Sequence, residues 1–276
     1  MEGIADFLDS LLGGVDLIAY SFAIGSVLWG VLVLRPWRQG NGMQAVIKNS
    51  IALLYKGAFA LAGIQFAKIV VKVWLMAATL DASPFPAFLH TIQFQAGTWR
   101  IVLALAVAMY TFGSLRIHPQ SLRHWLVTGL LTIPLIICGA WLVHGAGRFD
   151  DRAQLMALTV VHQVGAAMWI GGIGQLLSLW LLKLRNAIPA SIWPESLRRF
   201  SRVGFTTVAL LLATGIPMAF KYISSWNGFI GTGYGNLLLV KMLLLAIALG
   251  FAYVNFKAVR EFNAAGGGVG GVTSRV

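Results

Sequence analysis

The side chains best able to hold a soft or borderline metal in this 276-residue chain are five histidines, eight methionines and one cysteine. Cys138 stands alone inside an apolar run, which excludes a disulfide framework and a cysteine-rich metal site. His162 also lies inside an apolar run, where an ionisable group is a functional candidate by default; imidazole there suits copper or haem iron. The structural alternative for His162 is a hydrogen bond to a neighbouring helix. His144 falls at the end of an apolar segment and His90 in a connecting loop, both on the side expected to face outward. His118 and His124 lie in an inner loop and take no site role. Met76, Met156, Met218 and Met242 map toward the same outer side, with Met168 deeper, and thioethers favour Cu(I), though methionine also fills gaps in apolar helices.

Four cations complete the candidate set. Lys68 and Lys72 are four apart and share a helical face, while Arg100 and Lys241 are expected to begin their segments near the outer surface. They can snorkel to lipid headgroups, pair with Asp81, Asp150 or Asp151, or form an anion site such as one for haem propionates. A copper ion would be repelled by them. Catalytic machinery is absent: the sequence offers no nucleotide-binding Gly-rich loop, no paired catalytic carboxylates and no Ser-His-Asp arrangement. A transporter or electron carrier fits better than an enzyme.

The elements that must position these groups follow from composition. With 58% hydrophobic and 11% charged residues and a mean hydropathy of +0.78, the chain is too apolar to tile a water-facing surface. The expected fold is all-α, a polytopic membrane helical bundle of about seven transmembrane helices, at 15–34, 49–80, 98–115, 122–144, 153–184, 202–222 and 235–257. The formal charge of +12 does not imply nucleic acid, because the basic residues fall at the ends of apolar segments. Arg35, Arg38, Lys48, Arg116, Arg123, Arg198 and Arg199 fall on one side of the alternation, and Glu2, Asp6, Asp9, Asp16, Asp150 and Asp151 on the other. That bias places the N-terminus outside and the C-terminus inside. The acidic first residues are unlike a signal-peptide n-region, so the first span is expected to be retained. Residues 1–263 are expected to form a single transmembrane domain, followed by a flexible Gly-rich cytoplasmic tail, 264–276.

Several stretches resemble the copper resistance protein D (CopD) family of bacterial inner-membrane proteins. They are "HQVGAAMWIGGIGQLLSLW" from His162, with a histidine followed by Trp-x-Gly-Gly; "RRFSRVGFTTVALLLATGIPMA"; "GYGNLLLVKMLLLAIALGFAYVNF"; and, less specifically, "QAGTWRIVLALAV". His144 in "WLVHGAG" falls where the family has a histidine, whereas Tyr20 occupies a place in the first span where members often have one. The resemblance implies copper uptake or tolerance, with the ion received from a periplasmic copper carrier and held by His144, His162 and His90 with thioethers. A second possibility is a b-type haem electron carrier that exchanges electrons with a c-type cytochrome. Its axial ligands would be His144 and His162, with cations on the propionates. A third is a structural subunit of a larger complex.

Overall fold

A computed structural model of the chain describes residues 2–34, 42–79, 85–143, 151–189, 191–223 and 230–264. Every regular element among them is helical, as the apolar run lengths require. The helices are α1 (Glu2–Trp29, continued by a π-helical turn Gly30–Leu34), α2 (Met43–Thr79), α3 (Phe85–Leu89) and α4 (Ile92–Tyr110, continued by a π-helical turn Thr111–Leu115). They are followed by α5 (Leu122–Trp141), α6 (Arg152–Leu184), α7 (Ile192–Tyr222) and α8 (Gly233–Ala264).

Six of them, α1, α2 and α4 to α7, are long and apolar enough to cross a membrane, while α8 contributes a shorter apolar stretch, Gly235–Gly250. The chain is therefore a multi-pass membrane protein. Two compact units divide it, residues 1–218 and 219–276. The expected tail, 265–276, lies outside the described residues.

Within the first unit α1 is the central helix, packed on α2 and α6, with α4 against α2 and α5 against α4. Its apolar segment is the most buried of the six candidate spans. Ala23, Ile24, Val27 and Trp29 of α1 meet Ile47, Ile51, Leu54 and Leu61 of α2 and Ala167, Met168 and Leu179 of α6 in one core. Polarity runs opposite to that of a water-soluble fold. Ser26, Ser50 and Gln175 have no exposed surface, whereas Phe66, Trp99, Leu130, Leu177 and Phe205 are more than half exposed. Apolar exteriors with hydrogen-bonded polar interiors are what a hydrocarbon solvent selects.

One end of the core is fastened by an amide clamp. Gln175 Nε2 donates to Ser26 Oγ at 2.7 Å, and Ser50 Oγ donates to Gln175 Oε1 at 2.9 Å, so one side chain of α6 ties α1 to α2. Asn49 Nδ2 donates to Ser178 Oγ beside it. Gln175→Leu leaves two serine hydroxyls buried without that partner. The expected loss is about 1–2 kcal/mol in detergent unfolding, with Gln175→Glu no better because a buried charge replaces the amide.

Candidate functional site: two faces of one helix

Helix α6 carries the stretch that begins at His162, and its residues sort into two stripes by helical period. His162, Gly165, Trp169 and Gly172 form the stripe facing α7. The Gly165 position lies against Leu211, Trp169 against Phe200 with ring centroids 6.3 Å apart, and Gly172 beneath the Phe200 ring. Gln163, Ala167, Gly171, Gly174 and Gln175 form the other stripe, facing α1: Gly171 crosses Gly25, and Gly174 lies beneath Phe22. The Trp-x-Gly-Gly element thus has a structural meaning. Trp169 and Gly172 receive α7, and Gly171 between them receives α1.

On the first face, His162 Nδ1 lies 2.9 Å from Thr214 Oγ1. Thr214 is buried and its hydroxyl donates to Leu210 O, one turn back, at 2.7 Å. Gly215 lets the ring approach, since a Cβ there would stand 3.2 Å from His162 Cε1. Pro217 lies within the same helix and removes one backbone donor, loosening the turn around Thr214 and Gly215. Met218 follows Thr214 by one turn and shares its face. His162 itself is half-buried.

On the second face the helices bury charge. Asp16 Oδ2 of α1 pairs with Arg100 of α4 at 3.0 Å, with side chains only 11% and 6% exposed. Arg100 also donates to Gln65 Oε1 of α2 at 3.3 Å, and its guanidinium lies over the Tyr20 ring, 5.4 Å from the centroid. The Tyr20 hydroxyl is 3.5 Å from Gln163 Oε1, the residue after His162. Gly97 makes room for the Gln65 amide, which would lie 2.8 Å from a Cβ there. Asp16 Oδ1 and Arg100 Nε are buried with no hydrogen-bond partner.

This layer corrects two expectations about Arg100. Helix α4 starts at Ile92, so Arg100 lies about 12 Å along it rather than at its outer start, and its partner is Asp16 rather than Asp81, Asp150 or Asp151. The layer was not anticipated from the sequence, although Asp16 and Tyr20 four apart on one helix were its available signal. Two of the four cations proposed for haem propionates have protein partners. Arg100 is committed to Asp16 and Gln65, and Lys72 donates to Gln93 Oε1 at 3.2 Å.

Other candidates are scattered. His90 is exposed in the turn between α3 and α4, Lys68 is half-buried on α2, and Lys241 is exposed on α8 in the second unit. His144, Asp150 and Asp81 lie outside the described residues. Among the described residues no three His, Cys, Asp or Glu side chains converge as a metal cluster. His118 and His124 stack with centroids 5.2 Å apart, and the Tyr110 hydroxyl lies 2.8 Å from His124 Nδ1.

Residues 194–275, which begin in the first turn of α7, match the family model for copper resistance protein D. The likeness to that family lies in this segment. Over 250 residues the chain is 25% identical to the copper transport protein CutJ of Bacillus subtilis (strain 168), covering 88% of this chain and 45% of that protein. The chain thus spans less than half the length of this relative. No solved structure matches it. The CopD resemblance drawn from the sequence is met by the family model over residues 194–275, which include Thr214, Gly215 and Met218; His162 comes from the helix that this segment packs against.

Proposed function

We propose that this membrane protein carries copper inward across the bilayer, taking Cu(I) on the outer side at His162 with a thioether, Met218 being the best placed. The observation that carries the proposal is an imidazole inside a membrane helix, held at 2.9 Å by a hydroxyl of the CopD segment. Support for copper as cargo comes from the name of the relative, a copper transport protein. In this scheme His144 and His90 lie nearer the outer surface and receive the ion first from a periplasmic carrier. The buried cations do not oppose this, because Asp16 cancels the charge of Arg100 at close range.

His162→Ala is expected to weaken Cu(I) binding by about tenfold or more, since a ligand matters at least as much as the residues behind it. Copper uptake into proteoliposomes containing the full chain should fall with it. Unchanged binding and uptake would refute the assignment. An absorption spectrum before and after dithionite provides the second check: sharp reduced α and Soret bands would establish haem in place of copper cargo.

A further inference from the structure

We infer that His118 and His124 form a second copper site, at the opposite end of α4 from His90, and that the ion leaves the bundle from there. The inference rests on the reading of the protein as a copper carrier and adds a place and a ligand pair for release.

Sequence position alone gives the two histidines no role, since they stand six apart in a basic connection between α4 and α5. The fold brings them together. Their ring centroids are 5.2 Å apart. Two imidazole nitrogens, each about 2.0–2.1 Å from one tetrahedral or trigonal metal, put their rings about 5 Å apart centre to centre. The rings lie 11° from parallel and His118 is exposed, so turning its ring about the Cβ–Cγ bond brings a nitrogen edge-on to the ion with the ring centre nearly in place. His124 need not move. Tyr110 Oη lies 2.8 Å from His124 Nδ1, which leaves Nε2 as the metal-binding atom and lets Nδ1–H donate to the phenol oxygen once the metal is bound.

The backbone that carries the pair is held. His118 N–H donates to Ser114 O at 3.0 Å, Ser121 N–H donates to His118 O at 3.1 Å, and Nε1 of the buried Trp125 donates to Pro119 O at 3.0 Å. These bonds fix the connection to the first turn of α5, so the two imidazoles stay side by side.

Charge selects the ion. Among the described residues no carboxylate or thiol joins the pair. Arg116 and Arg123 flank it, the Arg116 guanidinium lying over the Phe112 ring, 4.8 Å from the centroid. Two neutral imidazoles beside two cations hold a monovalent ion at less electrostatic cost than a divalent one, which favours Cu(I) over Zn(II). With two protein ligands the ion keeps a position open to solvent, where an incoming thiolate can take it by ligand exchange. An exit requires that. The basic flank is also the end that the positive-inside bias assigns to the cytoplasm.

The test modifies histidines with diethylpyrocarbonate in the full chain in detergent, with and without Cu(I) kept reduced by ascorbate, and reads each position by peptide mass spectrometry. Cu(I) should slow modification of His118 several-fold in the wild type and equally in His162→Ala, whereas in His124→Ala that protection should disappear. Tyr110→Phe, which keeps the ring and removes the oxygen, should raise the Cu(I) concentration needed for protection by about tenfold, and it serves if His124→Ala does not fold. In proteoliposomes His118→Ala should take up copper several-fold more slowly than the wild type. Modification of His118 indifferent to Cu(I), or protection unaltered in His124→Ala, would overturn the paired site; where His124→Ala fails to fold, protection unaltered in Tyr110→Phe would do so. Protection as expected with uptake equal in wild type and His118→Ala would overturn its role as the exit. Protection as expected with no copper uptake by the wild type would instead overturn the copper-carrier reading.

Discussion

Arg100→Met is expected to destabilise the bundle by about 3–5 kcal/mol, while Asp16→Asn combined with Arg100→Gln recovers more than half of that loss. The asymmetry follows from burial. Removing the guanidinium leaves the Asp16 carboxylate inside a helical bundle without its 3.0 Å partner and strips Gln65 Oε1 of its donor. An isolated buried charge costs far more than an ion pair gains, whereas two neutral amides in the same places can bond each other and leave no charge. Unfolding of Asp16→Asn, Arg100→Gln and the double variant in detergent completes the cycle. Full additivity would show that the two groups do not interact. The proposed copper uptake should also be lost in Arg100→Met even where it folds, because an uncancelled carboxylate beside Tyr20 and Gln163 would hold a passing cation.

The architecture was legible because long apolar runs admit few alternatives in a bilayer. Helices α2, α5 and α6 begin or end within a few residues of the boundaries that hydropathy implies. Helix starts in α1, α4 and α7 were read too late, because each carries polar residues in its first turns: Glu2 to Asp9 in α1, Gln93 and Gln95 in α4, and Glu195 to Arg202 in α7. Hydropathy marks the apolar core of a helix and not its caps. That error moved Asp16 and Arg100 to the membrane surface in the sequence-based view and hid their pairing. His162 was legible as a singular ionisable group, but its partner was not. Thr214 looks like any of the threonines along α7 until the crossing of α6 and α7 selects it, and such crossings depend on surfaces distant in sequence. The same holds for the glycines: their packing role was expected, their partners were not.

Gly25→Val and Gly171→Val are each expected to cost about 3 kcal/mol or more and to abolish copper uptake, although neither residue touches a candidate ligand. The two glycines cross backbone to backbone. A Cβ on Gly25 would stand 2.9 Å from the Gly171 Cα, and one on Gly171 would stand 2.8 Å from the Gly25 Cα, with the carbonyls of Ala167 and Ser21 closer still. No side-chain rotation relieves contacts with backbone atoms, so α1 and α6 must separate. Separation stretches both neighbouring tethers, the Gln175 clamp to Ser26 on one side of the crossing and the Gln163 contact with Tyr20 on the other. Because Gln163 and His162 are adjacent on α6, the shift also disturbs the histidine's seat on Thr214. Gly63→Ala provides the contrast. That glycine is exposed on α2 with nothing within 4 Å of its missing Cβ, so alanine there should stabilise the helix by up to about 1 kcal/mol and leave uptake intact. Equal behaviour of Gly25→Val and Gly63→Ala in unfolding and transport would mean that α1 and α6 do not cross at this point.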